Sequence, residues 1–161
     1  MVYLDTSILL IFTLTRSSAL ERYAHVAALF DLIDAGVVKA ITSFYALHEL
    51  LVFAIRNAPD IFSGADVAKS ALIALFQTKL VVFPLLTREE KILNLRMFSA
   101  LADSSDVSHA ITAYRAGCTA IVAYDEHYKD LPPFLAYLKP EEFIAQTPQK
   151  QNELKTPPSN L

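Results

Sequence analysis

Short apolar runs alternate along the chain with longer stretches in which apolar residues recur at helical spacing. The short runs, at residues 2–4, 37–42, 80–83 and 119–123, predict buried strands. The longer stretches predict helices at about 7–15, 24–35, 43–57, 63–76, 87–102 and 104–117, and a last short helix after Pro140. Strands that alternate with helices predict a mostly parallel sheet with helices on both faces.

Residues with clear capping preferences mark several of the predicted helix ends. Ser43 is positioned to begin the third helix, and Thr87 with Glu90 has the spacing of a capping box. Ser104 or Ser105 is expected to begin the helix that ends at Gly117. From residue 147 the sequence turns to Gln, Lys, Asn, Pro and Ser, which cannot bury a core. We therefore expect one domain over residues 1–146 and a polar tail over 147–161.

The composition favours a globular domain with more apolar residues than its own core requires. Hydrophobic residues make up 53% of the 161 residues, and the mean hydropathy is +0.34. Charged residues interrupt every apolar stretch, and no run approaches the roughly 20 apolar residues that a membrane span requires. The surplus therefore predicts a subunit or partner interface.

Charge and cysteine content exclude several classes of site. The net charge of −3 does not indicate nucleic-acid binding, and three glycines do not form a Gly-rich phosphate loop. The single cysteine, Cys118, excludes an internal disulfide framework. The chain enters a strand at once without a basic region, so we expect no signal peptide and a cytoplasmic location.

Four acidic residues occupy comparable places relative to the predicted strands. Asp5 follows the first strand, and Asp125 lies just past the fourth. Glu49 lies about two turns into the helix after the second strand, and Asp106 lies in the first turn of its helix. Because the carboxyl ends of parallel strands share one edge of a sheet, we expect the four side chains to converge there.

Clustered carboxylates need a compensating charge, since like charges raise one another's pKa. Mg²⁺ and Mn²⁺ prefer oxygen ligands, and such an ion activates water for attack on a phosphodiester. Each acid also has a simpler role open to it. Asp5 is placed to cap a helix, Glu49 to be an exposed helix acid, Asp106 to favour a helix N-terminus, and Asp125 to sit in a turn.

Four segments in order resemble the PIN-domain family of Mg²⁺/Mn²⁺-dependent ribonucleases, which includes VapC-type toxins of toxin–antitoxin pairs. Together these segments span roughly residues 1–145, and their order and spacing, more than any one motif, carry the resemblance. They are Val2-Tyr3-Leu4-Asp5-Thr6-Ser7, Ile41-Thr42-Ser43 running on to His48-Glu49-Leu50, Asp106-Val107-Ser108-His109-Ala110 with Ala113, and Ile121-Val122-Ala123-Tyr124-Asp125 with Tyr128.

The resemblance implies a three-layer α/β/α fold with a short, mostly parallel central sheet of four or five strands. It implies that Asp5, Glu49, Asp106 and Asp125 form a catalytic site that binds Mg²⁺ or Mn²⁺, with Thr6 or Ser7 in support. It also implies an RNA substrate, hydrolysis of phosphodiester bonds, a small antitoxin partner and a homodimer.

The sequence departs from the family pattern at two places. Ala123 stands where the family usually has Thr or Ser two residues before the last acid, so a hydroxyl that could contact the site is missing. Asp103 lies three residues before Asp106 and competes for the role of third acid. We favour Asp106, because Ala110 and Ala113 follow it in helical register, and we expect Asp103 to be an exposed loop acid.

The histidines near these acids have simpler interpretations than metal binding. His109 is expected to be a partly buried structural residue on the same helix face as Asp106, and His127 is expected to be exposed. Two other classes of protein remain as alternatives. A haloacid-dehalogenase-type phosphatase requires a second Asp where this chain has Ser7, which counts against it. A catalytically silent PIN-fold module that binds RNA or protein stays open, and Ala123 gives it some weight.

Overall fold

The computed structural model describes residues 1–155, with side chains through residue 147. Strands and helices alternate along the chain, and two short 3₁₀ helices cover Leu95–Phe98 and Glu126–Asp130. The strands are β1 (Val2–Leu4), β2 (Ala40–Ser43), β3 (Val81–Phe83), β4 (Ala120–Val122) and β5 (Ala136–Leu138). The helices are α1 (Thr6–Thr13), α2 (Leu20–Asp34), α3 (Phe44–Arg56), α4 (Ile61–Phe76), α5 (Arg88–Asn94), α6 (Ser104–Arg115) and α7 (Pro140–Lys155).

The five strands form one parallel sheet in the order β3-β2-β1-β4-β5. Strands β2 and β3 are added on one side of β1, and β4 and β5 are added on its other side. The direction of strand addition therefore reverses between β1 and β4, which makes this a topological switch point. Open α/β sheets bind ligands in the crevice at the carboxyl ends of the strands on either side of such a point. Asp5 directly follows β1, and Asp125 follows β4.

Alternation along the central strands builds a core on each face of the sheet. Val2 and Leu4 of β1 face a cluster with α1, α2, α3 and α4. Tyr3 points to the opposite face, where Ile111 of α6 packs against it with Ile121 of β4. Helices on both faces of a parallel sheet confirm the expected three-layer α/β/α fold, with five strands.

Several predicted element boundaries are wrong, each for a local reason. Helix α4 begins before Ser63, because the side chain of Asp60 accepts hydrogen bonds from the first free N–H groups. Asp103, not Ser104 or Ser105, caps α6 in the same way. The helix predicted at 87–102 ends at Asn94 and gives way to a 3₁₀ turn, although its capping box at Thr87 and Glu90 is present.

The end of the chain extends further than predicted. Strand β5, only three residues long, follows a 3₁₀ turn and was not among the predicted strands. Helix α7 continues to Lys155, so it is longer than the short helix expected after Pro140. It crosses the predicted boundary at residue 146, and the division into a domain and a tail remains a prediction. Residues 156–161 of that tail lie outside the described part of the chain. Among residues 1–155, no helix is both long and apolar enough to cross a membrane.

Candidate active site

Asp5 caps α1 and is held from three directions. It is 6% exposed, and its Oδ2 accepts from the backbone N–H of Ser7 at 2.9 Å and from the Ser7 hydroxyl at 2.7 Å. Its Oδ1 accepts from the buried hydroxyl of Tyr128 at 2.9 Å. Ser7 Oγ in turn accepts from the backbone N–H of Tyr124, beyond β4, at 3.1 Å. The cap therefore also ties the ends of β1 and β4 together across the switch point.

Asp106 lies in the first turn of α6 and is the least satisfied acid of the site. The residue is 7% exposed, and within the described structure its buried Oδ2 has no hydrogen-bond partner. Burial raises the pKa of Asp106, and the nearby carboxylates of Asp103, Asp125 and Asp5 raise it further, to about 6. An unpaired buried acceptor costs about 1–3 kcal/mol. The fold therefore places a carboxylate where neighbouring negative charge opposes its ionisation.

Asp125 and His127 complete a compact group with Asp106. Asp125 caps the 3₁₀ helix that follows β4, because its Oδ1 accepts from the backbone N–H of His127 at 3.0 Å. His127 Nδ1 lies 3.3 Å from Asp125 Oδ1 and 3.5 Å from Asp106 Oδ2. One ligand atom from each of the three residues lies within 4.8 Å of the others. His127 is exposed, as expected, but the sequence did not indicate its place in this group.

Glu49 approaches the same edge of the sheet from α3 and belongs to a buried hydrogen-bond chain. Its Oε2 accepts from the hydroxyl of Thr6, and its Oε1 lies 3.2 Å from His109 Nε2. His109 Nδ1 lies 2.5 Å from the Tyr3 hydroxyl, which lies 2.6 Å from Ser43 Oγ. These hydrogen bonds run from the core to the site and fix the orientation of the Glu49 carboxylate.

The Glu49–His109 contact favours the charged form of both partners. Burial raises the pKa of Glu49, but the hydrogen bonds from His109 and Thr6 outweigh it, and the pKa lies below its ordinary value. Burial lowers the pKa of His109, but Glu49 and the nearby carboxylates of Asp5 and Asp106 outweigh it, and the pKa is raised. His109 is 1% exposed, so it is a buried histidine within the hydrogen-bond chain and not the partly buried one expected.

The structure brings the four predicted acids to one edge of the sheet in unequal arrangements. Asp106 and Asp125 form the compact group with His127. Asp5 acts on the pKa of Asp106 but is occupied by protein donors, and Glu49 is linked to the other acids through His109. Asp103 is exposed as expected, but it is a helix cap and not a loop acid.

Thr6 and Ser7 both contact acids, while Ala123 does not reach the site. Thr6 donates to Glu49, and Ser7 donates to Asp5. Ala123 is fully buried in the apolar cluster on the α6 side of the sheet. Tyr128, 123 residues from Asp5 in sequence, orients that carboxylate, and only its place in a family motif pointed to it.

A divalent cation fits this donor set. The group offers two carboxylates and one imidazole, and one carboxylate oxygen is buried without a partner in the described residues. Burial, followed by the carboxylates of Asp103, Asp125 and Asp5, raises the pKa of Asp106, and a bound cation would oppose both causes. Carboxylates suit Mg²⁺ and Mn²⁺, and imidazole suits several transition metals. A cation would relieve both the repulsion and the unpaired oxygen.

The chain matches no family model, and no curated protein sequence matches it.

Comparison of structures finds clear neighbours. VapBC2 from Rickettsia felis, solved with a DNA fragment from its promoter, has a TM-score of 0.63 at 15% identity, over 86% of this chain and 98% of its own. VapC20 from Mycobacterium tuberculosis, described as a sarcin-ricin loop cleaving toxin, has a TM-score of 0.60 at 14% identity, over 83% and 98%. FitAB bound to a DNA fragment has a TM-score of 0.59 at 17% identity, over 87% of this chain and 95% of its own. At these identities the match establishes the shared fold, that of PIN-domain toxins.

Proposed function

We propose that this chain, which has the fold of VapC-type PIN-domain toxins, is a metal-dependent endoribonuclease and the toxin of a toxin–antitoxin pair. The observation that carries the proposal is the environment of Asp106 at the switch point of the sheet. Its side chain is buried, its Oδ2 has no hydrogen-bond partner among the described residues, and other carboxylates lie nearby. The description of VapC20, which has the same fold, as a sarcin-ricin loop cleaving toxin supports it.

In this proposal Asp5, Glu49, Asp106 and Asp125 form the catalytic site and would hold Mg²⁺ or Mn²⁺. The ion would supply charge neutralisation for a phosphodiester and a lowered pKa for an attacking water. The donor set and the unpaired oxygen of Asp106 support this assignment.

The protein's own residues would orient the acids and receive a proton. Ser7 and Tyr128 hold the Asp5 carboxylate, so it needs little rearrangement to act. Thr6 and His109 hold Glu49 in its ionised form and fix the direction of its carboxylate. A carboxylate of the site would accept the proton that the attacking water gives up. As the water oxygen bonds to phosphorus, the bond to the departing ribose oxygen would break, and that oxygen would take up a proton from solvent.

The net charge of the chain counts against tight RNA binding, and in this proposal the bound metal ion and local arginines compensate for it. Phosphate contacts normally supply much of the affinity for RNA, and a net charge of −3 limits them. We place the reaction in the cytoplasm, where RNA is abundant.

A groove between α1 and α3 suits the helix of a small antitoxin. The groove has a volume of about 530 Å³, and Thr6 and Glu49 are among the residues that line it. Leu10, Val52 and Phe53 are its apolar lining residues, and Arg56 adds a positive charge to the lining. An amphipathic helix laid in this groove would cover Glu49 and its hydrogen-bond partner Thr6. Co-expression with a short neighbouring reading frame tests this: Phe53→Asp should abolish co-purification, whereas Phe62→Asp, on the exposed face of α4, should preserve it.

The homodimer remains part of the proposal. Large apolar side chains are exposed on α5 and the 3₁₀ turn after it, among them Ile92, Leu93 and Leu95. Light scattering on the purified chain should give twice the mass of one copy.

The test of the activity is RNA cleavage with purified protein in Mg²⁺ or Mn²⁺, on structured and single-stranded RNA. Asp5→Asn and Asp106→Asn should remove cleavage. Asp60→Asn makes the same chemical change at an exposed helix cap and should leave cleavage intact. Cleavage that survives both site variants would contradict the assignment. A wild-type chain that binds a partner protein but neither metal nor RNA would favour the silent binding module.

A further inference from the structure

His127 is the one nitrogen donor in the compact group with Asp106 and Asp125. Its Nδ1 lies 3.3 Å from Asp125 Oδ1 and 3.5 Å from Asp106 Oδ2. Both separations exceed the usual N–H···O distance of about 2.9–3.0 Å, and Asp106 Oδ2 stays without a hydrogen-bond partner among the described residues. Two ligand atoms that share an ion through bonds of about 2.1 Å lie about 3.0–3.5 Å apart. The two separations are in the range of ligands around a common cation, and the three ligand atoms all lie within 4.8 Å of one another.

The backbone around His127 is fixed by the fold. Asp125 accepts from the N–H of His127 and so holds the turn, and Tyr128, the next residue, is fully buried with its hydroxyl on Asp5. The imidazole therefore stands on an anchored segment although its ring is exposed. A histidine on a free loop would have no such placement.

We propose that His127 is a ligand of the cation bound by Asp106 and Asp125, and that its imidazole makes the site prefer a first-row transition metal ion over Mg²⁺. The reason is ligand chemistry. Mg²⁺ takes oxygen ligands almost exclusively, whereas transition ions accept imidazole readily. This proposal rests on the metal site of the proposed function and specifies which ion that site takes.

Mn²⁺ is the appropriate probe, because it is the weakest binder of the first-row series and is paramagnetic. Calorimetry on the full chain, freed of metal with EDTA and then dialysed, should show Mn²⁺ binding at least about tenfold tighter than Mg²⁺. His127→Ala should weaken Mn²⁺ binding by about tenfold or more and leave Mg²⁺ binding within about threefold. His25→Ala, which removes an imidazole from α2, should change neither.

Pulsed electron paramagnetic resonance on bound Mn²⁺ gives a readout that does not depend on activity. We expect coupling to a ¹⁴N nucleus in wild type and in His25→Ala, and its loss in His127→Ala. Mn²⁺ bound without ¹⁴N coupling would overturn the proposal, as would equal affinities for the two ions or the absence of binding. A histidine that only pairs with the two carboxylates would give those results.

The outcomes separate this proposal from the proposed function. Metal-dependent RNA cleavage without ¹⁴N coupling would refute the role of His127 and leave the nuclease standing. Nitrogen-coupled Mn²⁺ in a protein that does not cleave RNA would support the ligand and count against the nuclease.

Discussion

Replacing Asp106 with Asn should stabilise the protein at neutral pH when no divalent ion is present. The pKa of Asp106 is raised from 3.8 to about 6 in the folded chain, first by burial and then by the carboxylates of Asp103, Asp125 and Asp5. The folded chain therefore holds this proton more tightly than the unfolded chain does. The stabilisation from the proton is fully present below about pH 4 and is lost as the pH rises through about 6.

The size of the effect follows from the same pKa values. A rise from 3.8 to about 6 corresponds to at most about 3 kcal/mol at pH 7.5. The variant gives up the interaction of a carboxylate with the N-terminus of α6, worth about 0.3–1 kcal/mol. Solvent screening at the partly open site reduces the effect further, so we expect a net gain of about 1–2 kcal/mol.

Urea unfolding in EDTA measures this difference. With a slope of about 1–3 kcal/mol per molar urea, the unfolding midpoint of Asp106→Asn should lie about 0.5–1 M above that of wild type at pH 7.5. The two midpoints should converge towards pH 4. Adding Mn²⁺ should reverse the order, since a ligand at a hundred times its dissociation constant stabilises wild type by about 2.7 kcal/mol. A variant less stable than wild type in EDTA at pH 7.5 would refute the claim that the folded chain disfavours the ionised carboxylate of Asp106.

Three further substitutions test other contacts, each by urea unfolding. Tyr128→Phe removes the donor to buried Asp5 Oδ1 and should cost about 1–3 kcal/mol in EDTA; an unchanged midpoint would contradict that contact. Tyr3→Phe removes the hydroxyl that meets His109 and should cost a similar amount, and no loss would show that the buried chain adds nothing to stability. Gly64→Ala should lower the free energy of unfolding by about 1–3 kcal/mol, since the new Cβ would lie 2.6 Å from the backbone of α3. An unchanged midpoint would exclude so close a packing of α3 on α4.

The order of strands and helices could be predicted because local patterns determine it. Residues 2–4 and 120–122 read as continuous apolar runs, since both faces of the sheet are covered. The caps at Ser43 and Thr87 rest on side-chain bonds within three residues, and both are present. Strand β5 was not predicted, because it lacks the β-branched residues that marked β3, which is an edge strand of the same length. Prolines also stand close to it on both sides, at residues 132, 133 and 140.

The acids could be predicted as a set, but their individual environments could not. The positions of Asp5 and Asp125 follow from where parallel strands end, which the strand pattern determines. The unpaired oxygen of Asp106 depends on how α6 packs against the end of β4, and no local pattern encodes that. The same holds for His127, whose place beside Asp106 arises from contacts between residues 21 positions apart.

The buried hydrogen bonds that link Tyr3 through His109 to Glu49 could not be predicted from local sequence patterns either. Tyr3 reads as a strand residue and His109 as a structural histidine, and both interpretations hold. Their contact joins residues 106 positions apart, so only the folded sheet reveals it. That contact links the core to the acid predicted on α3.

The central claim is that these acids, with a divalent ion, hydrolyse RNA. The most direct measurement is the initial rate of RNA cleavage as Mn²⁺ is titrated from zero, for wild type, Asp106→Asn and Asp60→Asn. We expect cleavage by wild type and Asp60→Asn to rise with Mn²⁺ and saturate, and cleavage by Asp106→Asn to fall at least about a hundredfold at every concentration. Equal rates for wild type and Asp106→Asn, or a rate independent of Mn²⁺, would contradict the claim.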